Sequence, residues 1–135
     1  MIYVLDTNVI SALRRPDRAP AVAAWIRQKP EDDLYLSAIT IGEIARGIAQ
    51  QQRANPDFAR DLATWLDRTL RVFSDRILPF GAQDARIWGR LSHEIGHTGA
   101  DLMIAATALA HDATVVTRNV ADFAPTGVRV ENPFA

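Results

Sequence analysis

The chain has no cysteine, which excludes disulfides, thiolate metal ligands and cysteine nucleophiles and fits a reducing compartment. It has almost no lysine either: Lys29 stands alone beside fourteen arginines. Net charge is nearly absent, with 15 basic against 16 acidic residues and a formal value of -1. No global positive field therefore recruits a polyanion, and any such binding needs locally grouped charges. No apolar run approaches the roughly 20 residues that span a bilayer. The opening Met-Ile-Tyr-Val-Leu-Asp lacks the basic n-region of a signal peptide. Nucleotide-binding glycine motifs and a G-x-S-x-G nucleophile elbow are absent as well.

What is present is ordinary globular material: 135 residues, 48% hydrophobic and 23% charged. The expectation is one domain over residues 1–135, in the cytoplasm and off the membrane. Ile2–Leu5 is a short apolar β-type run that stops at Asp6. Further strand candidates are 34–37, 77–80, 114–117 and 128–130. Helical spacing is expected over 7–13, 21–27, from Thr40 through Ile48, from Pro56 through Phe73, over 84–95, and over the nearly all-apolar 102–110. Strands alternating with helices predict an α/β fold: a three-layer α/β/α sandwich with a short, mostly parallel central sheet.

In such sheets, sites form beyond the carboxyl ends of strands. Four acids stand at junctions of that kind. Asp6 follows the first strand, and Glu43 lies in the first turn of the helix after the second. Asp101 heads the buried helix, and Asp122 lies in the loop after strand 114–117. Each also has a structural reading. Asp6 and Asp101 suit helix N-caps, Thr40-Ile-Gly-Glu43 fits a capping box, and Asp122 suits an Asx-turn. The residues alone leave both readings open. If the four converge, they repel, and with oxygen donors only they suit a hard cation, Mg²⁺ or Mn²⁺. Such an ion activates water and stabilises a phosphoryl transition state.

The same positions carry a resemblance. Leu5-Asp6-Thr7-Asn8-Val9-Ile10-Ser11 resembles the opening signature of PIN-domain ribonucleases, and Glu43-Ile-Ala-Arg-Gly47 their second motif. Asp101-Leu-Met-Ile-Ala-Ala-Thr-Ala is similar to the third, and Val116-Thr117-Arg118-Asn119 with Asp122-Phe123 to the fourth. By these motifs the chain is most similar to the VapC/FitB-like toxins of bacterial toxin–antitoxin pairs. The resemblance implies a PIN-like fold and endonucleolytic cleavage of RNA, leaving 5′-phosphate and 3′-hydroxyl ends. It implies Asp6, Glu43, Asp101 and Asp122 as catalytic acids holding Mg²⁺ or Mn²⁺. Thr7, Thr117 and Asn119 support them, with Asn119 orienting Asp122 or a water. It also implies a small antitoxin partner and a homodimer, for which Trp65, Leu66, Leu70 and Phe73 offer an apolar stripe. Arg46 and Arg118, beside motif residues, are candidate RNA contacts, and Arg14, Arg15 and Arg18 could also flank the acidic edge.

Two rival readings come from other classes. His93-Glu94-Ile95-Gly96-His97 is a literal H-E-x-x-H, the signature of zinc peptidases. At about 100° per residue, however, His93 and His97 point away from the helix's apolar side, and Gly96 suggests that the helix stops there. A non-catalytic RNA-binding or regulatory module is the other rival, against which the intact acids weigh.

Overall fold

The computed structural model describes residues 1–134. Five strands, β1 (Tyr3–Leu5), β2 (Leu34–Ser37), β3 (Ile77–Leu78), β4 (Thr114–Val116) and β5 (Arg129–Glu131), form one sheet in the order β3-β2-β1-β4-β5. Every neighbouring pair is parallel. The helices between them are α1 (Thr7–Ala12), α2 (Pro20–Gln28), α3 (Ala38–Ala54), α4 (Pro56–Val72), α5 (Ala82–Ile95), α6 (Ala100–Ala110) and α7 (Val120–Phe123). This is the expected three-layer α/β/α architecture.

Alternation along the central strands separates two cores. Val4 and Val115 face one layer, packing with Leu91, Ile104, Ala105 and Ala108 of α5 and α6. Tyr3, Leu5 and Val116 face the other, packing with Val9 and Ile10 of α1 and Val22 of α2. Both faces of β1 and β4 are covered, which is why these strands read as unbroken apolar runs. A third cluster, Ile48, Ala59 and Leu66, closes α3 against α4. Leu66 and Phe73 of the expected dimer stripe are thus buried within the chain, and Trp65 and Leu70 are partly so.

The chain lays β2 and β3 on one side of β1, then returns to lay β4 and β5 on the other. The strand order therefore reverses between β1 and β4. A crevice opens at such a point because the connections leave in opposite directions. Asp6 and Thr117 are the residues that immediately follow those two strands.

Several boundaries differ from expectation. α3 begins at Ala38, not near Thr40, because Ser37 is its N-cap and accepts the Ile39 amide at 3.1 Å. The capping box expected of Thr40 and Glu43 is therefore not formed, and Glu43 lies in the second turn. α6 begins at Ala100, with Gly99 as an N-cap that makes no side-chain bond, so Asp101 does not cap. Asp122 is not in a loop but in the one-turn helix α7. Of the extended piece 77–80, only Ile77–Leu78 pairs, since Pro79 has no amide to give a ladder.

Candidate active site

Asp6 is the buried anchor of the crevice, 3% exposed. It N-caps α1, accepting the Thr7 amide at 2.8 Å on one carboxylate oxygen. Its other oxygen accepts the Thr117 hydroxyl at 2.7 Å and the Asn8 side-chain amide at 3.2 Å. Burial still pushes its carboxyl above the ordinary carboxylate range; these three bonds oppose that, and the charge of Asp122 adds to it. Asn8 ties the two strand ends together. Its amide also reaches Thr117 Oγ1 at 3.3 Å, and its carbonyl oxygen accepts the Arg118 backbone amide at 3.1 Å.

Glu43 is held from the α1 side, where the Thr7 hydroxyl donates to Glu43 Oε1 at 2.6 Å. The buried Thr40 hydroxyl lies 3.4 Å from that of Thr7. Asp101, the second residue of α6, has its carboxyl pushed up to about 6. Burial is the main cause, followed by the negative charges of Asp6, Asp122 and Glu43, with His97 acting in the opposite direction. Asp122 is exposed on α7, near enough for both Asp6 and Asp101 to feel its charge. Elements scattered over more than a hundred residues thus bring Asp6, Glu43 and Asp122 within electrostatic reach of Asp101.

This donor set fits a hard divalent cation. It is all oxygen, and the charges of the other three acids raise the proton affinity of Asp101, a repulsion that a bound cation relieves. Among the described residues, no three of these groups close round a single point. Mg²⁺ does not require that, since it commonly keeps several waters and takes one or two carboxylates. Asp6 and Glu43 are also partly engaged by Thr117, Asn8 and Thr7.

Comparison with known proteins identifies the architecture. The PIN domain profile matches residues 3–125. The chain belongs to the PIN-domain family. It is 38% identical over 139 residues to Toxin FitB of Neisseria gonorrhoeae, covering 98% of this chain and 99% of that one. It is 36% identical over 140 residues to VapC ribonuclease Y4jK of Sinorhizobium fredii, covering 98% of each. Among solved structures, FitAcB from Neisseria gonorrhoeae superposes with a TM-score of 0.84 at 38% identity, over 98% of both chains.

The other expected residues of this PIN-domain chain fall as follows. Thr7 and Thr117 each donate a hydroxyl hydrogen to an acid of the site. Asn119 is exposed, and its bond with Asp122 is through the backbone, Asp122 N–H to Asn119 O at 3.1 Å. Among the described residues it makes no side-chain bond to Asp122. The amide that holds an acid is Asn8, which stood inside the first motif but was not singled out. Only its position two residues after Asp6 in the sequence hinted at the role. Arg46 and Arg118 are both exposed, and the Arg118 guanidinium lies over the Phe134 ring at 4.1 Å.

The H-E-x-x-H segment does not form a zinc-peptidase helix. α5 ends at Ile95, and Gly96 is its C-cap in the left-handed conformation, φ 97°. His97 lies beyond the helix, where its Nδ1 accepts the Gly99 amide at 3.2 Å, and His93 is exposed. The two histidines do not share one helical face, so the i, i+4 geometry that such a site requires is missing.

Proposed function

We propose that the protein is a divalent-metal-dependent endoribonuclease, acting as the toxin of a toxin–antitoxin pair. The observation that carries this reading is the electrostatic convergence of Asp6, Glu43, Asp101 and Asp122 at the strand-order reversal. The family membership and the ribonuclease and toxin names of full-length relatives support it.

In this reading Asp6 and Asp101 hold the cation, with Glu43 and Asp122 at its margin; Mg²⁺ or Mn²⁺ suits these oxygens. When bound, the ion supplies an activated water and charge neutralisation at the phosphate. The chain's own residues do the rest. Thr117 and Asn8 hold the carboxylate of buried Asp6 in one orientation. Thr7 turns Glu43 toward the same space. Asp101 takes a proton readily in the metal-free protein, and gives it up when a cation replaces it. Glu43 and Asp122, more open to solvent than Asp6, would take up the proton lost from the attacking water. Cleavage by water leaves 5′-phosphate and 3′-hydroxyl ends.

The partner of this reading is a small antitoxin protein. Solved relatives include FitAB on a DNA fragment, at 36% identity and a TM-score of 0.85, and a VapBC complex from Haemophilus influenzae at 26% and 0.76. A cytoplasmic homodimer completes it; with Leu66 and Phe73 buried inside the chain, the second copy must use other surface. The test is RNA cleavage by purified protein with Mg²⁺ or Mn²⁺, with EDTA, and by Asp101→Asn. Loss of cleavage in EDTA and in the variant is the expected result. Cleavage that persists in either one overturns the metal-carboxylate mechanism.

A further inference from the structure

A cavity of about 390 Å³ opens at Arg118, the residue after Thr117. Its lining includes Arg15 and Arg18 from the turns after α1, Arg118 from the turn after β4, Phe134, and Ala21 and Val22 of α2. Among the described residues no carboxylate lines it, and none of the three arginines stands within ion-pairing distance of an acid. Three arginines from two separate turns therefore line one cavity, with no counter-charge among the described residues. Such repulsion is unfavourable in the absence of an anion. Arg118 is also anchored: its guanidinium lies over the Phe134 ring, and its backbone amide is bonded to Asn8. A planar fork held in place is suited to a phosphate, which takes two parallel N–H bonds. The first turn of α2, which has no side-chain cap, adds amide groups at the same wall.

The cavity and the acids are linked by one turn. Thr117 donates to Asp6, and the next residue, Arg118, lines the cavity. A strand whose scissile phosphate sits among the acids therefore has a neighbouring phosphate close to the arginines. We propose that this cavity is an anion subsite that binds a backbone phosphate of the RNA strand next to the one cleaved. The proposal rests on the ribonuclease reading, and it gives the acidic site the positive ground that the near-zero net charge does not supply.

The test uses full-length protein carrying Asp101→Asn, to prevent cleavage, and a fluorescently labelled single-stranded RNA. Adding Arg15→Ala and Arg18→Ala weakens RNA binding by about 10-fold or more. It also lowers the slope of log affinity against log salt by about 0.7, the value for one phosphate contact on a single strand. Arg15→Lys with Arg18→Lys retains most of the salt dependence and loses part of the affinity, because the charge stays and the fork goes. In the cleaving parent, the double alanine variant shows its loss in KM. Both arginines are exposed, so a thermal midpoint close to the parent's is expected and separates lost contact from lost fold. Unchanged affinity and slope overturn the subsite. Unchanged RNA binding with lost binding of an acidic peptide assigns the cavity to a protein carboxylate and overturns it too. A parent that cleaves RNA with KM unaffected by the variant removes the subsite and leaves the nuclease reading. A parent that binds through these arginines but cleaves nothing keeps the subsite and removes the nuclease reading.

Discussion

Asn8 and Asn119 carry the same side chain within a few residues of the acids, yet they occupy different positions. Asn8 makes bonds to Asp6, to Thr117 and to the Arg118 amide, spanning the ends of β1 and β4. Asn119 is exposed and meets Asp122 only through backbone. Groups that orient a metal-holding carboxylate typically change activity about 10–100-fold when removed. Asn8→Ala is therefore expected to lower cleavage within that range while the chain stays folded, and Asn119→Ala to lower it less. Initial rates at saturating metal with circular dichroism as the folding control decide it; an equal or larger effect at Asn119 refutes the assignment. The acids make a separate prediction about pH. Asp101, at about 6, and Asp6 both hold protons more tightly in the folded protein than in the unfolded chain. The stability linked to that protonation is fully present below the unfolded value, about pH 4, and is lost as pH rises through the folded values. Metal-free protein is thus expected to lose thermal stability between about pH 4 and pH 7. Added Mg²⁺, which competes with protons for the same oxygens, should raise the midpoint more at pH 7.5 than at about pH 5. A metal effect that is the same at both pH values contradicts the site.

At the scale of elements, the ends of helices decide which motifs acquire a function. Gly96 closes α5 with φ 97°, a conformation that costs a non-glycine residue about 1–2 kcal/mol. Gly96→Ala is accordingly expected to destabilise the chain by about that amount in urea unfolding. No clash contributes to the loss, since nothing lies within 4 Å of the added carbon. A neutral effect would mean that the helix continues and that His93 and His97 share a face after all. Replacing both histidines by alanine is expected to leave no zinc to lose, as metal analysis of the purified protein would read. This stop was legible in advance, because a glycine inside H-E-x-x-H marks a C-cap within a short window. Other local signals were legible for the same reason. The apolar runs around Val4 and Val115 read as buried strands, and the all-round apolar segment ending at Ala110 as a buried helix. Two competing local patterns misled. Thr40-Ile-Gly-Glu43 has the form of a capping box, but Ser37, the last residue of β2, caps α3 first. Glu43 is then released to bond Thr7, thirty-six positions away. Asp122 followed a strand at loop distance, and the four-residue helix α7 is too short to leave a periodic trace. The bonds that make the site, Thr117 to Asp6 and Asn8 to Arg118, span about 110 positions. No sequence window contains them, and only the parallel pairing of β1 with β4 brings them about.

For the whole molecule, the net charge of -1 averages over two regions of opposite sign that share one face. The acid crevice repels a phosphodiester, and the arginine cavity next to it attracts one. A bound divalent cation adds two positive charges to the crevice and turns two opposed fields into one that favours RNA. Affinity for RNA should then depend on the divalent ion even when cleavage is blocked. With a non-cleavable RNA analogue, at ionic strength held constant with monovalent salt, the metal-free protein is expected to bind at least about 10-fold more weakly than the Mg²⁺ form. Neutralising the crevice by mutation tests the same field without metal. Asp6→Asn together with Asp101→Asn should bind the analogue in EDTA more tightly than the parent does in EDTA, and should respond little to added Mg²⁺. Asn retains the size of Asp, and its single oxygen can still accept the Thr7 amide that caps α1, so the fold should persist. If affinity is indifferent to divalent ions in the parent, the acids are not in contact with the RNA backbone. If instead the double variant still gains affinity from Mg²⁺ as the parent does, the ion acts through Glu43, Asp122 or the RNA itself, and Asp6 and Asp101 are not its holders.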